Sequence, residues 1–529
     1  MKRTFLLSAL LIYWISFYAQ MNVELLGHLA YNQNLSDVWG YVDEEGNEYA
    51  LVGVYNGFSV VNVTDPQNPE EVYFKPGPNS IWRDIKTWGD YAYVSNESAQ
   101  GVLIVDLSPL PNGPITTTTN FTGSSFPFTT SHNLYIDEFG KMYIFGANSG
   151  SGGAIICDVT ADPMNPTELG RFNNFYLHDG MARGDTLWGA AIYEGLLAAI
   201  NVSNPANPFI MGTVSTPGQF AHNAWVSDDG SHVFTTDEIS SGYIGAFNVT
   251  NLSNMYETDR VQSNPGSGVI PHNVHVRNDF LITSYYSDGL VIHDAINPNT
   301  ITLVGYYDTS PNYSGNGFNG CWGAYPFLPS GNILATDIQE GLYVLGFNFA
   351  RASFVEGVVK DSLTGDPLFN VIVEVLGTDI VTQTIFDGSF GIASLISGEY
   401  DLRFSRFLYQ EKIIENVLFV QGEITMLEVE LAKDDLSVSI LEVKNENEFS
   451  VFPNPSSGHF NLNFNNSAHF RNTFTIRITN NSGMRVFETQ NIQPSSNGIT
   501  FGSDLLPGVY LLEITDSTGI VHTQKIVRW

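Results

Sequence analysis

Two cysteines in 529 residues exclude a disulfide-rich scaffold. Cys157 and Cys321 hold unrelated places in the repeat described below, so buried free thiols are expected rather than a bridge. Basic residues are scarce as well: 22 Lys and Arg stand against 55 Asp and Glu, a formal charge of −33. Such a surface repels nucleic-acid phosphates and anionic membranes, so nucleic acid is not an expected partner. Divalent metal ions, calcium among them, and neutral glycan or protein ligands remain open. Amphipathic helical periodicity over ten or more residues is missing beyond the N-terminus. Long apolar runs are missing there too, so no transmembrane segment is expected in the mature chain.

What is abundant points one way. Aromatics make up 13% of the chain, and 49 glycines punctuate short apolar runs such as "YAYVS" and "GVLIVDL". Frequent Asn-Pro and Asp-Gly pairs supply turns between them, which predicts an all-β protein. The length suggests two to four domains. The N-terminus, "MKRTFLLSALLIYWISFYAQ", joins a basic start to a short apolar stretch and a small residue at Ala19. That is the pattern of a secretory signal peptide over residues 1–19.

From residue 57 one unit recurs: "GFSVVNVTDPQNP", "GVLIVDLSPLPNG", "GAIICDVTADPMNP", "LLAAINVSNPANP", "YIGAFNVTNLSN", "GLVIHDAINPNT" and a truncated "GLYVLGFN". The polar residues ending the first six runs are Asn62, Asp106, Asp158, Asn201, Asn248 and Asp294, spaced by 44, 52, 43, 47 and 46 residues. Periods of this length with several short strands predict a β-propeller, here of seven blades over residues 20–349. Each polar residue is expected to bond back to local backbone, and the following Pro turns the chain. "VELLGHLAY" near the N-terminus looks like the outer strand "ITLVGYYD", so it is expected to complete the seventh blade. The stretch "NGPITTTTNFTGSS" reads as an exposed loop inserted before blade three.

A second recurrence lies just after each outer strand. His132-Asn133, His178-Asp179, His222-Asn223 and His272-Asn273 follow one another at steps of 46, 44 and 50 residues. Aligned blades place Arg83-Asp84 at the same position, with Asp37 near it in blade one and Asn319 and Trp322 in blade seven. Innermost strands border a propeller's central channel, so these residues would form a ring. Two readings stay open. Imidazoles from separate blades can converge on a metal or a polar ligand, with Asp or Asn fixing their tautomers. Alternatively, duplication has copied a loop cap, and the rings spread around a wide channel, each bonded to nearby backbone. The acidic turns "DEEGNE", "SDDG" and "TTDEISSG" lack the spacing of an EF-hand and read as hairpin turns.

The repeat, together with "WRDIKTWGDYAYVSNE" and "GCWGAYPFLPSGNILATD", resembles the LVIVD-repeat propellers of the choice-of-anchor B family. That resemblance implies a secreted propeller joined to varied C-terminal modules, and no reaction. Residues 350–433, with "TGDPL", "DGSF" and "SGEYDL", are similar to the carboxypeptidase regulatory-like, transthyretin-like sandwich, a spacer or binding module. Residues 434–448 read as a polar, mostly acidic linker. Residues 449–529 carry "PNPSSG", "NNSG", "LPGVY" and the tail "KIVRW" in order. They resemble the type A sorting domain of the Bacteroidetes type IX secretion system, which implies that machinery as a partner and a secreted or outer-membrane surface location. The whole chain thus predicts a seven-bladed propeller followed by two small β-sandwich domains. The expected function is exported binding and recognition; the alternative is a secreted metal-dependent enzyme built on the histidine ring. Catalysis is the less expected of the two, because no general base stands apart from the repeat.

Overall fold

The computed structural model describes residues 20–434, 449–464, 473–480, 483–493, 498–516 and 519–529. The expected signal peptide and all but the first residue of the expected linker lie outside them. The chain divides into two units, residues 1–351 and 352–529. Among the described residues the helical content is a single 3-10 turn, Leu252–Asn254. None of them belongs to a helix long and apolar enough to cross a membrane.

Seven antiparallel sheets succeed one another in the first unit. Their innermost strands are Leu35–Val42, Ile85–Trp88, Asn133–Ile136, Asp179–Arg183, Ala221–Val226, Val274–Arg277 and Cys321–Tyr325. Each packs on the next, and the seventh returns to the first. This is a closed propeller ring. The apolar repeat runs form the third strand of each blade, and most of their residues are buried. Every polar residue ending such a run accepts the backbone N–H two residues on: Asn62 from Thr64 at 2.9 Å, Asp106 from Ser108 at 3.0 Å, Asp158 from Thr160 at 2.7 Å. Asn201, Asn248 and Asp294 do the same at 3.2, 3.2 and 3.1 Å. The local bond replaces the ladder bond that the turn gives up.

The N-terminal segment closes the ring. Val23–Leu29 pairs antiparallel with Gly341–Phe347, Val23 opposite Phe347 and Leu29 opposite Leu342, and so supplies the outer strand of blade seven. Gln20–Met21 adds a fifth strand to blade six, an extension that the repeat period does not foreshadow. Neighbouring blades nest through a glycine in the outer strand. A Cβ on Gly170 would lie 1.9 Å from the Pro205 carbonyl oxygen in the turn of the next blade. Gly27 meets Pro66 at 1.8 Å in the same way, across the closure between blade seven and blade one. The stretch expected as a loop before blade three is a correction: Thr118–Phe121 is the outer strand of blade two, paired with Val102–Val105. Its β-branched threonines suit a strand.

The second unit holds two pairs of sheets. In the first pair, Ser353–Asp361 runs between Ser389–Ser394 and, in parallel, Ile424–Leu431. The facing sheet is built from Val381–Gln383, Ile372–Val375, Gly398–Ser405 and Lys412–Phe419. Val355, Val359, Phe390, Leu402, Phe404 and Val429 fill the space between them. In the second pair, Phe449–Phe452, Phe460–Phe464 and Ile499–Phe501 face a four-stranded sheet centred on Phe474–Asn480 and Gly508–Asp516. Phe460, Leu462, Ile476, Ile478, Leu512 and Ile514 are buried there.

Candidate functional site

The entry to each innermost strand is where the repeat delivers polar side chains to the axis. In blades one, five and seven the ladder slips at this point, between Leu35 and Val38, Ala221 and Asn223, and Cys321 and Gly323. Such a bulge re-aims the side chains of the strand that carries it. Of the four histidines only His222 sits at such a bulge, yet all four imidazoles stack. Rings of His132 and His178 lie 3.9 Å apart between centroids, His178 and His222 4.1 Å, and His222 and His272 4.6 Å. Trp322 of blade seven continues the arc, 4.7 Å from His272. All five side chains are buried. The rings are not spread around a wide channel, since the histidines of four successive blades are in ring contact, but two of them do bond to backbone of the next blade, as the structural alternative expects.

Partners at Nδ1 orient three of the rings. His132 Nδ1 lies 2.5 Å from Glu97 Oε1, and His272 Nδ1 donates to the Trp322 carbonyl at 2.6 Å. His178 Nδ1 donates to the His222 carbonyl at 3.3 Å. A carbonyl can only accept, so His178 and His272 carry their proton on Nδ1 and expose a lone pair on Nε2. His222 differs: its Nδ1 is buried without a hydrogen-bond partner, and its Nε2 lies 3.3 Å from Glu238 Oε2. Tyr286 donates to the other Glu238 oxygen at 2.6 Å. Burial pushes His178 and His222 well below the usual imidazole range, helped by the neighbouring rings, and takes His272 down to about 3. His132 moves the other way, since the bond and charge of Glu97 outweigh its burial. Burial lifts Glu238 to about 7.

One residue further along each strand lies a second polar layer. Asp37, Asp84 and Asp179 are all buried, with Lys86 3.7 Å from Asp37. Asn223 donates to Asp179 at 2.7 Å and accepts from the Val274 amide at 3.1 Å. Asn133 accepts from the adjoining Leu134 amide at 2.6 Å, and Asn273 Oδ1 is buried with no partner. Burial raises the Asp84 carboxyl well above the usual range, and the Asp37 charge adds to it. Two positions expected in the ring do not join the imidazoles. Arg83 turns away, its guanidinium donating to the Val54 carbonyl at 2.9 Å and to that of Pro78. Asn319 accepts from Gln339 at 2.9 Å instead.

The side chains three residues beyond the histidine position form an aromatic plug. Trp225 stacks on Phe327 at 5.7 Å and meets His275 at 4.6 Å; Trp39 meets Tyr325 at 4.8 Å, with the Lys86 ammonium 4.3 Å over its ring. On the histidine side, Tyr193 and Phe318 are 76% and 58% exposed, and they contact Tyr176 and Tyr286, which neighbour His178 and His272. Exposed aromatics thus lie one ring away from the buried imidazoles. A hollow of about 650 Å³ lies at the edge of blade seven, beside Asn22, Glu24 and Asn348, and none of the histidines lines it.

Glu97, Glu238 and Tyr286 are the members that the sequence reading missed. They occupy equivalent places two residues after a hydroxyl at the end of the second strand of their blades: Ser95-Asn96-Glu97, Thr236-Asp237-Glu238, Ser284-Tyr285-Tyr286. That alignment was the available signal. The "TTDEISSG" stretch is accordingly more than a hairpin turn: Asp237 accepts from Thr216 Oγ1 at 2.5 Å and from the Gly218 amide at 2.7 Å, while Glu238 reaches the imidazoles. "DEEGNE" is a turn, Asp43 accepting the Glu45 and Asn47 amides, both at 2.9 Å.

Comparison with known families finds two likenesses. Residues 82–112 and 191–216 match the LVIVD repeat. Residues 450–528 match the secretion system C-terminal sorting domain. Curated proteins give no match. Among solved structures, the β-propeller domain of Cps50 (Swd1) from Myceliophteria thermophila is similar at 10% identity and a TM-score of 0.44, covering 61% of this chain and 98% of that one. An all-β chain of LVIVD repeats that ends in a sorting domain of this kind is a secreted or cell-surface protein, exported through the type IX machinery.

Proposed function

We propose that the protein is an exported recognition protein that binds its ligand at the histidine-lined mouth of the propeller. Residues 350–433 would act as a carboxypeptidase regulatory-like spacer and residues 449–529 as the export signal, an arrangement like that of choice-of-anchor B proteins. One observation carries the reading. Four blades place buried imidazoles in contact at one end of the axis, although blades one, two and seven fold equally well with Ser36, Arg83 and Trp322 at that position. The fold does not require histidine there, which supports reading the arc as chemistry rather than scaffold. The exposed rings of Tyr193 and Phe318 offer flat apolar faces, and the chain's charge of −33 disfavours anions. A neutral glycan fits both.

The test is calorimetric titration of the mature protein with a panel of neutral oligosaccharides. Tyr193→Ala and Phe318→Ala should each weaken binding about tenfold, the scale of one lost stacking contact. Binding untouched by both, or no binding by any oligosaccharide, counts against the reading. A metal-dependent enzyme is the second reading, and Glu238 favours it: a carboxyl raised to about 7 beside His222 suits proton transfer near neutrality.

A further inference from the structure

We propose that His132, His178 and His222 form a binding site for one divalent transition-metal ion at the propeller mouth, with Glu97 as the residue that positions His132. The inference rests on the reading of this mouth as a ligand site and names a ligand class for it.

The first argument is distance. One side-chain ligand atom from each of the three histidines lies within 4.8 Å of the other two. Some point therefore lies within about 2.8 Å of all three atoms. Zinc–imidazole bonds are about 2.0–2.1 Å, so the rings need to move less than 1 Å each. The strands that carry them belong to three separate blades held by their own ladders, so the backbone is arranged before the ion arrives.

The second argument is orientation. A metal-binding histidine usually donates its other N–H to a carboxylate or a carbonyl, which fixes the tautomer and aims the lone pair. His132 meets Glu97 at 2.5 Å and His178 meets the His222 carbonyl at 3.3 Å, one partner of each kind. His222 completes the trio: its buried Nδ1 has no partner in ordinary hydrogen-bond geometry, and the His272 backbone of the next blade is the acceptor that acts on the ring.

The third argument is chemical type. Three imidazoles without a thiolate suit zinc, copper, nickel, cobalt or ferrous iron, whereas calcium takes six or more oxygens. Both cysteines are buried free thiols, and neither groups with the trio. A second trio, His222, Glu238 and His272, shares one member and also has ligand atoms within 4.8 Å of one another. The all-imidazole trio is the better site, because two of its rings have their Nδ1 partners in place. Glu238 then stands beside the ion, where a bound water or a ligand oxygen would sit.

The mature full-length protein, stripped with a chelator, would be loaded with Zn²⁺ and with Co²⁺ and measured by elemental analysis, calorimetry and the visible spectrum of the cobalt form. One equivalent of metal is expected, with cobalt bands typical of nitrogen ligation. His178→Ala should weaken binding at least 100-fold, and Glu97→Gln about 10- to 100-fold. His272→Ala should retain the equivalent. His178→Phe keeps a ring in the stack and serves where the alanine variant does not fold. Less than a fifth of an equivalent in the wild type overturns the inference, as does full retention in His178→Phe, which would place the metal on exposed histidines. Loss in His272→Ala with retention in His178→Phe overturns the choice of trio, and displacement by millimolar Ca²⁺ overturns the ligand chemistry. Oligosaccharide binding measured on the stripped protein separates the two readings: if it persists while metal fails to bind, the metal inference alone is wrong.

Discussion

The channel of the propeller and the sandwich of residues 352–433 both bury carboxylates, and they treat them in opposite ways. Asp361 in the sandwich is buried, which by itself would raise its pKa. Four donors reverse that: the Leu363 and Thr364 amides at 2.9 and 3.1 Å, the Tyr409 hydroxyl at 2.9 Å and the Lys433 ammonium at 3.2 Å. The net result is a carboxyl at about 2. Asp84 in the channel is no more exposed, but its neighbours include Asp37 and Asp179, and it stays well above the usual range. A carboxylate surrounded by donors holds a turn in place. A carboxylate left among like charges weakens the fold, and such sites persist where binding or chemistry uses them.

The largest expected effect tests whether the propeller stands as a closed ring independent of the sandwich. Deleting residues 20–31 removes the strand opposite Gly341–Phe347 and leaves an open edge on blade seven, and the Gly27–Pro66 contact with blade one goes with it. Hydrogen exchange read on separate peptides should show lost protection in blades seven and one, with the sheets of residues 352–433 unchanged. Protection lost equally in both units would mean that they do not fold separately, and the comparison would fail.

Next in size is Asp361→Asn. The substitution keeps the shape but removes the charge that Lys433 and the two amides address. It should cost about 2–3 kcal/mol in urea unfolding of the sandwich. A cost below about 0.5 kcal/mol would show that the four donors are bystanders.

Acid sharpens the same contrast through sign. The folded-state pKa of Asp361 is depressed, so its stabilisation is full above about 4, the unfolded value, and is lost as pH falls through about 2. Its share is about 2 kcal/mol. Asp259 in blade five is the opposite case: burial raises it to about 6, against the Ile301 and Arg260 amides that it accepts. Its folded form holds the proton more tightly, so its contribution is present below about 4 and is lost as pH rises through about 6. Paired stability curves, with Asp361→Asn and Asp259→Asn each flattening its own window, would confirm the signs. Curves that flatten in the same window would refute them.

Much of this was legible in the sequence because it repeats. The run ending in Asn or Asp, followed by a turn, is a local bond two residues long, so it reads directly from Asn62, Asp106 and Asp158. The histidine spacing gave positions around the axis, since equivalent offsets in successive blades face one centre. It did not give the radius of the channel at that level, which decides between rings that touch and rings that stand apart. Radius depends on how closely blades pack, through contacts such as Gly170 against Pro205 that span separate repeats. Glu97 and Glu238 were hidden for a related reason: they sit in loops between second and third strands, whose sequences differ from blade to blade, and their purpose appears only in the fold, where Glu97 meets His132 of the next blade and Glu238 meets His222 of its own.

The smallest expected effect is the most direct test of the comparison. Asp84→Asn retains the side-chain shape and removes one of three clustered carboxyls, the one that burial and the Asp37 charge push well above the usual range. No donor set like that of Asp361 surrounds it: the Asp84 backbone amide is occupied by Ser95 Oγ at 2.8 Å, and the cation of the layer, Lys86, lies nearer Asp37. Relief of repulsion from Asp37 and Asp179 therefore offsets what the amide loses. The propeller should unfold in urea at the same midpoint or a slightly higher one, a change between zero and about 1 kcal/mol of added stability. The same substitution at Asp361 is expected to cost about 2–3 kcal/mol, a larger change in the other direction. If Asp84→Asn instead destabilises the propeller by about 2 kcal/mol or more, its carboxylate is as firmly held as that of Asp361. The channel would then be a structural polar core, and its perturbed acids would no longer argue for a site.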